Sequence, residues 1–540
     1  MVPATRGRAG SKPGRTLPMP RFGDMLKHVP EEIFAAPPPP SLNKTAICGV
    51  HHDSRRVIPG GIFVALSGRE HDGLDFVPQA EAAGASLIAA DRDPGCRTPW
   101  LKVRAPRQAL AHLADAFYDH PSGALKMVGV TGTNGKTSVC WLLQQAWLEL
   151  GLPAAALGTL GPRAVSAGGE AIEIPWPAHT TPEAPDFQAA LAALAAAGIR
   201  HVACEVSSHA LALERVRATQ YRAVVFTNLG RDHLDFHASL RDYRDAKWRL
   251  FRAEDRACPG EQTPAAVVNL DDPAGRDLAA LLQRRGLQTP AGLPGAEPGL
   301  LTYGIADGSE AWLQGEILEA DIHGLRLTAR WPGGAATLRT GLLGRFQSGP
   351  LLAALGSLLA LGTPGEAAAH ALSRAAPVPG RMEALRAPGR GLIIVDYAHT
   401  PEALETVLRE GRGLAEGRLV VVFGCGGERD PGKRPLMGAI AGQLADEVIV
   451  TNDNPRREEP QEIAAQILDG VRAASARRDL ILDREEALAE GVRRVGPGDV
   501  LLVAGRGAEA WQDCGASRRP LDDRKVLRRI LDGAAGSRAG

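Results

Sequence analysis

The sequence predicts an α/β protein of three domains: a small α/β N-terminal domain, a central phosphate-binding domain with a mostly parallel sheet, and a doubly wound C-terminal α/β domain. Three observations carry that prediction. A β-branched run, Val128 to Thr131, ends in a Gly-rich turn closed by Lys136 and Thr137 and leads into the amphipathic run Val139 to Leu150. Short apolar runs then alternate with helical stretches, the pattern of parallel strands covered by helices. The alternation restarts beyond a break at Pro377-Val-Pro-Gly-Arg-Met-Glu383, and 540 residues leave room for about three domains.

Composition narrows the function. Lys plus Arg (62) balance Asp plus Glu (62), so overall charge points to no nucleic-acid partner and no membrane surface. Seven scattered cysteines without a C-x-x-C pair argue against a disulfide framework or zinc site and for a reducing, cytoplasmic compartment. The longest apolar run, Leu351 to Leu361, is shorter than the roughly 20 residues needed to cross a bilayer, and it reads as a core helix. No membrane insertion is expected.

In chain order, residues 1–20 form a basic, Pro/Gly-rich tail expected to be disordered. The N-terminal domain is placed at 21–104. Its segment His52-Asp-Ser-Arg55 precedes a Pro-Gly-Gly turn and an alternating strand, and by itself it fits capping and salt bridging better than binding. The central domain is placed at 105–376 and opens with a helix over Pro106 to Tyr118. Gly132, Thr133, Asn134, Gly135, Lys136, Thr137 and Ser138 form a phosphate cradle: glycines let backbone N–H groups approach phosphate oxygens, the lysine reaches the terminal phosphates, and the Thr137 hydroxyl suits Mg²⁺. This makes the domain P-loop ATPase-like. Runs ending at Cys204 and spanning Ala223 to Thr227 and Ala265 to Asn269 are further strands. Polar clusters, Glu205-Val-Ser-Ser-His209 and Asn228 to Asp235, follow two of them, where carboxylate and imidazole could hold Mg²⁺. His233 alone would suit a helix cap or a core better than a metal; the phosphate loop beside it favours the metal.

The C-terminal domain is placed at 377–540 and reads as Rossmann-like. Its strands, Gly391 to Val395, Leu419 to Phe423, Glu447 to Thr451 and Val500 to Ala504, are each followed by a polar cluster. Each cluster could be a plain turn, but Arg429 and Arg456 suit planar capture of a carboxylate.

Together these motifs resemble the ATP-dependent Mur ligases, relatives of folylpolyglutamate synthase, from about Asp53 to Arg524. Asp53-Ser-Arg55, Gly132 to Thr137, Thr180-Thr-Pro182, Glu205-Val-Ser-Ser-His209, Arg231-Asp-His-Leu-Asp235, Ala246-Lys-Trp248, Pro379 to Glu383, Asp396-Tyr-Ala-His-Thr-Pro401 and Gly426 to Asp430 fall in family order. The resemblance implies an ATP- and Mg²⁺-dependent ligase that adds an amino acid to a UDP-muramoyl peptide through an acyl phosphate, acting as a monomer on small molecules. It implies that Lys136, Glu205, His233 and a carbamylated Lys247 are catalytic, with Thr137, Glu205, His233 and Lys247 around Mg²⁺. Arg381 and Asp396 would reach ATP across a cleft. Ser54, Thr180, Thr181, Ser207 and Arg215 would contact the UDP-sugar dipeptide. Arg429, Asp453, Asn454, Pro455, Arg456, Gly505 and Glu509 would line the amino-acid pocket, and Arg456 points to diaminopimelate, whose extra carboxylate it would pair with.

The chain departs from the family pattern at four places: His179 stands where Asn often precedes Thr-Thr-Pro, Leu213 stands where some members carry a polar substrate contact, and two longer motifs differ. Gly505-Arg-Gly-Ala-Glu509 stands for Gly-Lys-Gly-His-Glu, and Phe346-Gln-Ser-Gly-Pro350 for Phe-Asn-x-x-Asn. Lysine addition, folate polyglutamylation and a catalytically silent nucleotide-binding paralogue are the competing expectations.

Overall fold

Strands buried on both faces need apolar residues at consecutive positions, and Ala223–Phe226, Leu419–Phe423 and Val500–Val503 meet that demand in a computed structural model of the chain. The structure describes residues 19–68, 71–177, 179–252, 263–292, 299–305, 310–471 and 476–536. Of the expected basic tail, only Met19 and Pro20 fall within them.

The N-terminal unit is a four-stranded parallel sheet, Val50–His51, Ile62–Val64, Leu87–Ala90 and Trp100–Lys102, in sequential order. The helix Pro106–Phe117 belongs to its core. Leu110 and Leu113 are buried with Phe22, Ile62 and Leu101, so this helix packs backward although the sequence reading placed it at the head of the central domain. Its apolar stripe suits either neighbour, which is why the pattern alone does not assign it.

The central unit is an eleven-stranded sheet. Its middle runs Ala265–Asn269, Ala223–Phe226, Lys126–Thr131, His201–Glu205 and Ala154–Leu157, all parallel. The phosphate-loop strand therefore lies between the strand that delivers Glu205 and the strand that delivers Thr227 and Asn228. Antiparallel strands Leu313–Asp321, Gly324–Trp331 and Gly334–Thr340 extend one edge. The helix Ser348–Ala360 is apolar around most of its circumference and is buried between that sheet and the helix Lys136–Glu149.

The C-terminal unit is a six-stranded sheet, in the order Glu383–Leu385, Leu392–Val395, Val500–Val503, Leu419–Phe423, Glu447–Val450 and Arg477–Leu480. All pairings but the first are parallel, so the four polar clusters gather at one end. Among the described residues no helix is long and apolar enough to cross a membrane.

Candidate active site

The phosphate loop is shaped by two glycines. Gly132 has φ +147°, and a Cβ there would sit 1.9 Å from Thr227 Oγ1; Gly135, at φ +85°, starts the helix Lys136–Glu149. Neighbouring strand ends hold the loop. Asn134 N donates to Asn228 Oδ1 at 2.9 Å, Thr227 Oγ1 donates to Asn134 O at 2.6 Å, and Thr133 Oγ1 accepts from Gly230 N at 2.9 Å. Lys136 Nζ folds back on the loop, donating to Gly132 O and Thr133 O at 2.8 and 2.7 Å. Lys247 Nζ reaches the same Gly132 O from the helix Leu240–Trp248, at 2.7 Å, and lies 4.2 Å from the Tyr243 ring centre. Burial lowers the pKa of both lysines, and Lys136 pushes that of Lys247 down further.

Glu205 is the hub. Its buried carboxylate accepts from Thr137 Oγ1 (2.9 Å), Thr159 N (2.8 Å) and Thr159 Oγ1 (3.1 Å), while its main-chain oxygen accepts from Thr181 Oγ1 at 2.8 Å. Gly158 makes room for it: a Cβ at 158 would come within 2.2 Å of Glu205 Oε1. Thr159 escaped the sequence reading; the Gly-Thr after an apolar run was its only signal.

The expected dipeptide contacts gather beside this hub. Thr180 Oγ1 is 3.3 Å from Thr159 Oγ1, and Thr181 Oγ1 accepts from Ser207 N at 3.3 Å. The Ser207 side chain caps the helix Ser208–Ala212. Arg215 donates to Glu183 Oε1 at 2.8 Å and to Thr181 O at 3.0 Å. Glu183 also pairs with Arg107 at 3.5 Å, so the network runs on to the helix packed with the N-terminal sheet. Ser54 lies apart from this group, buried, with its hydroxyl on Gln79 Oε1 at 2.7 Å.

His233, at φ +54°, is part of an aromatic cluster: its ring lies 4.7 Å from that of His209, which is 5.7 Å from that of His237. Burial and the two neighbouring imidazoles push the pKa of His209 down to about 4. His237 Nε2 meets Ser208 Oγ at 3.0 Å.

A cavity of about 410 Å³ opens next to Gly135, lined by Asn269, Asp271, Phe346 and Pro350 among others. It suits a planar base beside the phosphate loop. From the third unit, Arg381 stacks on Tyr397 with 4.3 Å to the ring centre, and Gln347 Nε2 donates to Arg381 O at 3.4 Å. Asp396 is buried, and its two oxygens accept from Met382 N (2.8 Å) and Ala398 N (2.7 Å). Burial raises its pKa. Its carboxylate thus holds the loop that carries Arg381.

The C-terminal crevice brings Asp453, Asn454, Pro455, Arg456, Gly505 and Glu509 together. Asn454 Nδ2 donates to Glu509 Oε2 at 2.8 Å, and a Cβ on Gly505 would lie 2.5 Å from Asp453 Oδ2. Arg456, at φ +52°, donates through Nη1 to Gly427 O at 2.6 Å. Arg429 is exposed on the loop after Phe423. Arg506, the residue in place of the family lysine, is fully buried behind the crevice.

Comparison with known proteins agrees with this geometry. Three family models match: the Mur ligase family catalytic domain at 46–118, the Mur ligase middle domain at 130–358 and the Mur ligase glutamate ligase domain at 380–507. UDP-N-acetylmuramoyl-L-alanyl-D-glutamate–2,6-diaminopimelate ligase of Chromobacterium violaceum is 40% identical over 89% of this chain and 94% of its own. That of Pseudomonas aeruginosa is 41% identical over 89% and 94%. A solved structure of a ligase of the same name superposes with TM-score 0.66 at 30% identity, covering 94% of this chain and 99% of that one. Matched in all three units and across nearly its whole length, the chain belongs to the Mur ligase family.

Proposed function

We propose that this chain joins meso-2,6-diaminopimelate to the D-glutamate of UDP-N-acetylmuramoyl-L-alanyl-D-glutamate at the expense of ATP, a step of peptidoglycan precursor synthesis. The observation that carries the reading is the Glu205 hub, where the phosphate loop, through Thr137, and the expected dipeptide contacts, through Thr159 and Thr181, meet on one residue. The names of the relatives support the choice of substrates. Free thiols at the six described cysteines fit a cytoplasmic setting.

In the reaction the loop N–H groups and Lys136 receive the ATP phosphates, with Arg381 approaching from the third unit. The D-glutamate γ-carboxylate attacks the terminal phosphorus, giving an acyl phosphate and ADP. The neutral amine of diaminopimelate then attacks the acyl carbon, phosphate leaves with the C–O bonding electrons, and the nitrogen gives up a proton to the departing phosphate or to water. The protein's share is positioning and charge stabilisation.

Thr137 Oγ1 and Glu205 are hard oxygen donors of the kind magnesium takes, although no group of three or more His, Cys, Asp or Glu suited to a metal occurs among the described residues. A carbamate on Lys247 would add oxygens beside Gly132, and His233 is the remaining expected donor. Magnesium, when bound with ATP, supplies positive charge against the phosphate oxygens.

The test is phosphate release by the purified protein with ATP, UDP-muramoyl dipeptide and meso-diaminopimelate. Release is expected only with all three; release without the amino acid, or only with lysine, overturns the reading. In the same assay Arg456→Ala should raise the diaminopimelate KM at least about tenfold, the worth of a charge-assisted contact, while leaving the ATP KM within about twofold. Equal losses for both substrates would make Arg456 structural.

A further inference from the structure

The amino-acid crevice is backed by a layer of buried charge. Arg506 and Arg484 are both fully buried, as is Asp523 at the start of the helix Asp523–Gly536. Arg484 forks onto Asp523, with Nη2 to Oδ2 at 2.7 Å, and donates to Asn452 O (3.0 Å) and Ala504 O (3.1 Å). Arg506 spreads over the other side. Its Nη2 donates to Trp511 O at 3.0 Å and Leu521 O at 2.8 Å, its Nε stands 3.7 Å from Asp523 Oδ1, and its Nη1 donates to Asn454 Oδ1 at 3.0 Å.

That last bond decides which way the Asn454 amide points. Its oxygen accepts from Arg506 Nη1 and from Asp513 N (2.8 Å), and its nitrogen donates to Glu509 Oε2 (2.8 Å). A flipped amide would set NH₂ against two donors and its oxygen against a carboxylate, losing all three bonds. The carboxylate so held is under strain from a like charge: burial and Asp453 raise the Glu509 pKa, and the Asn454 amide and the two guanidinium groups oppose that rise. Without an oriented amide, Glu509 has reason to turn toward solvent.

We propose that Arg506 is a positioning residue of the amino-acid pocket: its guanidinium fixes the Asn454 amide, which aims the Glu509 carboxylate at the ammonium of the incoming amino acid. This rests on the crevice being the amino-acid pocket, as proposed above. It also gives the departure from the family lysine a physical content. A lysine offers one nitrogen, whereas the three oxygens of Asn454, Trp511 and Leu521 are reached here by two separate nitrogens of one planar fork.

The test compares steady-state constants of the full-length enzyme, each variant expressed as a ratio to the unaltered protein on whichever amino acid that protein accepts. The choice of acceptor and the role of Arg506 therefore fail separately. Arg506→Met, which keeps the stem and removes the fork, should raise the amino-acid KM about tenfold or more, with the KM for ATP and for UDP-muramoyl dipeptide within about twofold. Arg506→Lys, which keeps the charge but has one nitrogen for the three oxygens, should recover only part of the loss. Because Arg506→Met leaves buried carbonyls unpaired, Asn454→Asp serves as the second variant: it retains an oxygen for Arg506, replaces the donor to Glu509 by an acceptor, and should show the same KM split. An unchanged amino-acid KM in either variant, a parallel rise of all three KM values, or failure of both variants to fold overturns the proposal and leaves Arg506 as a structural residue only.

Discussion

Two ammonium groups, those of Lys136 and Lys247, converge on the single carbonyl oxygen of Gly132. Like charges at such a place, out of water, favour release of a proton, and Lys247 is the more deeply buried of the two. A neutral amine is the form that attacks CO₂, so the structure supplies a reason why this lysine should be the one carbamylated. Carbon-13 NMR of the enzyme in labelled bicarbonate should therefore show a carbamate signal that Lys247→Ala abolishes. The same variant should lose at least about a hundredfold in kcat, as expected when a charge-stabilising group is removed from an active site. Histidines make a second prediction at this scale. Burial holds His112 and His209 at about 4 in the folded protein, against an ordinary value of 6.5. A folded pKa below the unfolded one means that the unfolded chain binds protons more readily. The stability they contribute is therefore complete above pH 6.5 and is lost as pH falls from there to about 4. His120, raised by Asp115, runs the other way, contributing below its ordinary value and losing that contribution as pH rises. Denaturant midpoints measured from pH 7.5 to 4 should fall, and His112→Leu should flatten the slope.

Among the elements, the strand–loop–helix of the phosphate site was the most legible, because its glycines, lysine and threonine each answer a local requirement that needs no knowledge of the rest of the fold. Gly132→Ala should be severe: the added Cβ has no space beside Thr227 and no comfortable backbone angle. We expect a loss of about 1–3 kcal/mol in stability from overpacking, seen as a lowered denaturant midpoint, together with a raised ATP KM. The core helix was also legible, although it begins at Ser348, ahead of the apolar run that announced it. Less legible were the strand Arg477–Leu480, whose charged residues hide a sheet edge, and the helix Pro106–Phe117, whose stripe does not say which sheet it covers. Side-chain networks were least visible. Thr159 meets Glu205 only because their two strands pair in parallel, and Glu183, at a helix N-terminus, meets Arg215 from a loop thirty-two residues away.

At the scale of the whole molecule, specific side-chain contacts tie the three units together. Trp141 Nε1, from the helix after the phosphate loop, donates to Ala376 O at 2.8 Å at the entrance to the third unit, and Arg56 pairs with Asp186 at 2.6 Å between the first and second. The first is the one expected to order the chain where it enters the third unit. Trp141→Phe should leave Ala376 O without its indole donor and cost about 1 kcal/mol, read as faster hydrogen exchange around Ala376 to Gly380. Asp186→Asn, at a half-exposed pair, should cost less than about 1 kcal/mol and shift the exchange little.

The cramped seat of Glu205 has a consequence for inheritance as well as chemistry. Because Gly158 leaves no space for even one methyl group beside that carboxylate, any coding change at 158 would dislodge a residue it does not itself replace. In a deep mutational scan position 158 would score as intolerant as an active-site position while having no side chain to offer a substrate. Compensating changes would then have to arise at Glu205 or its threonine partners, so these codons and that of Gly158 are free to vary only in concert.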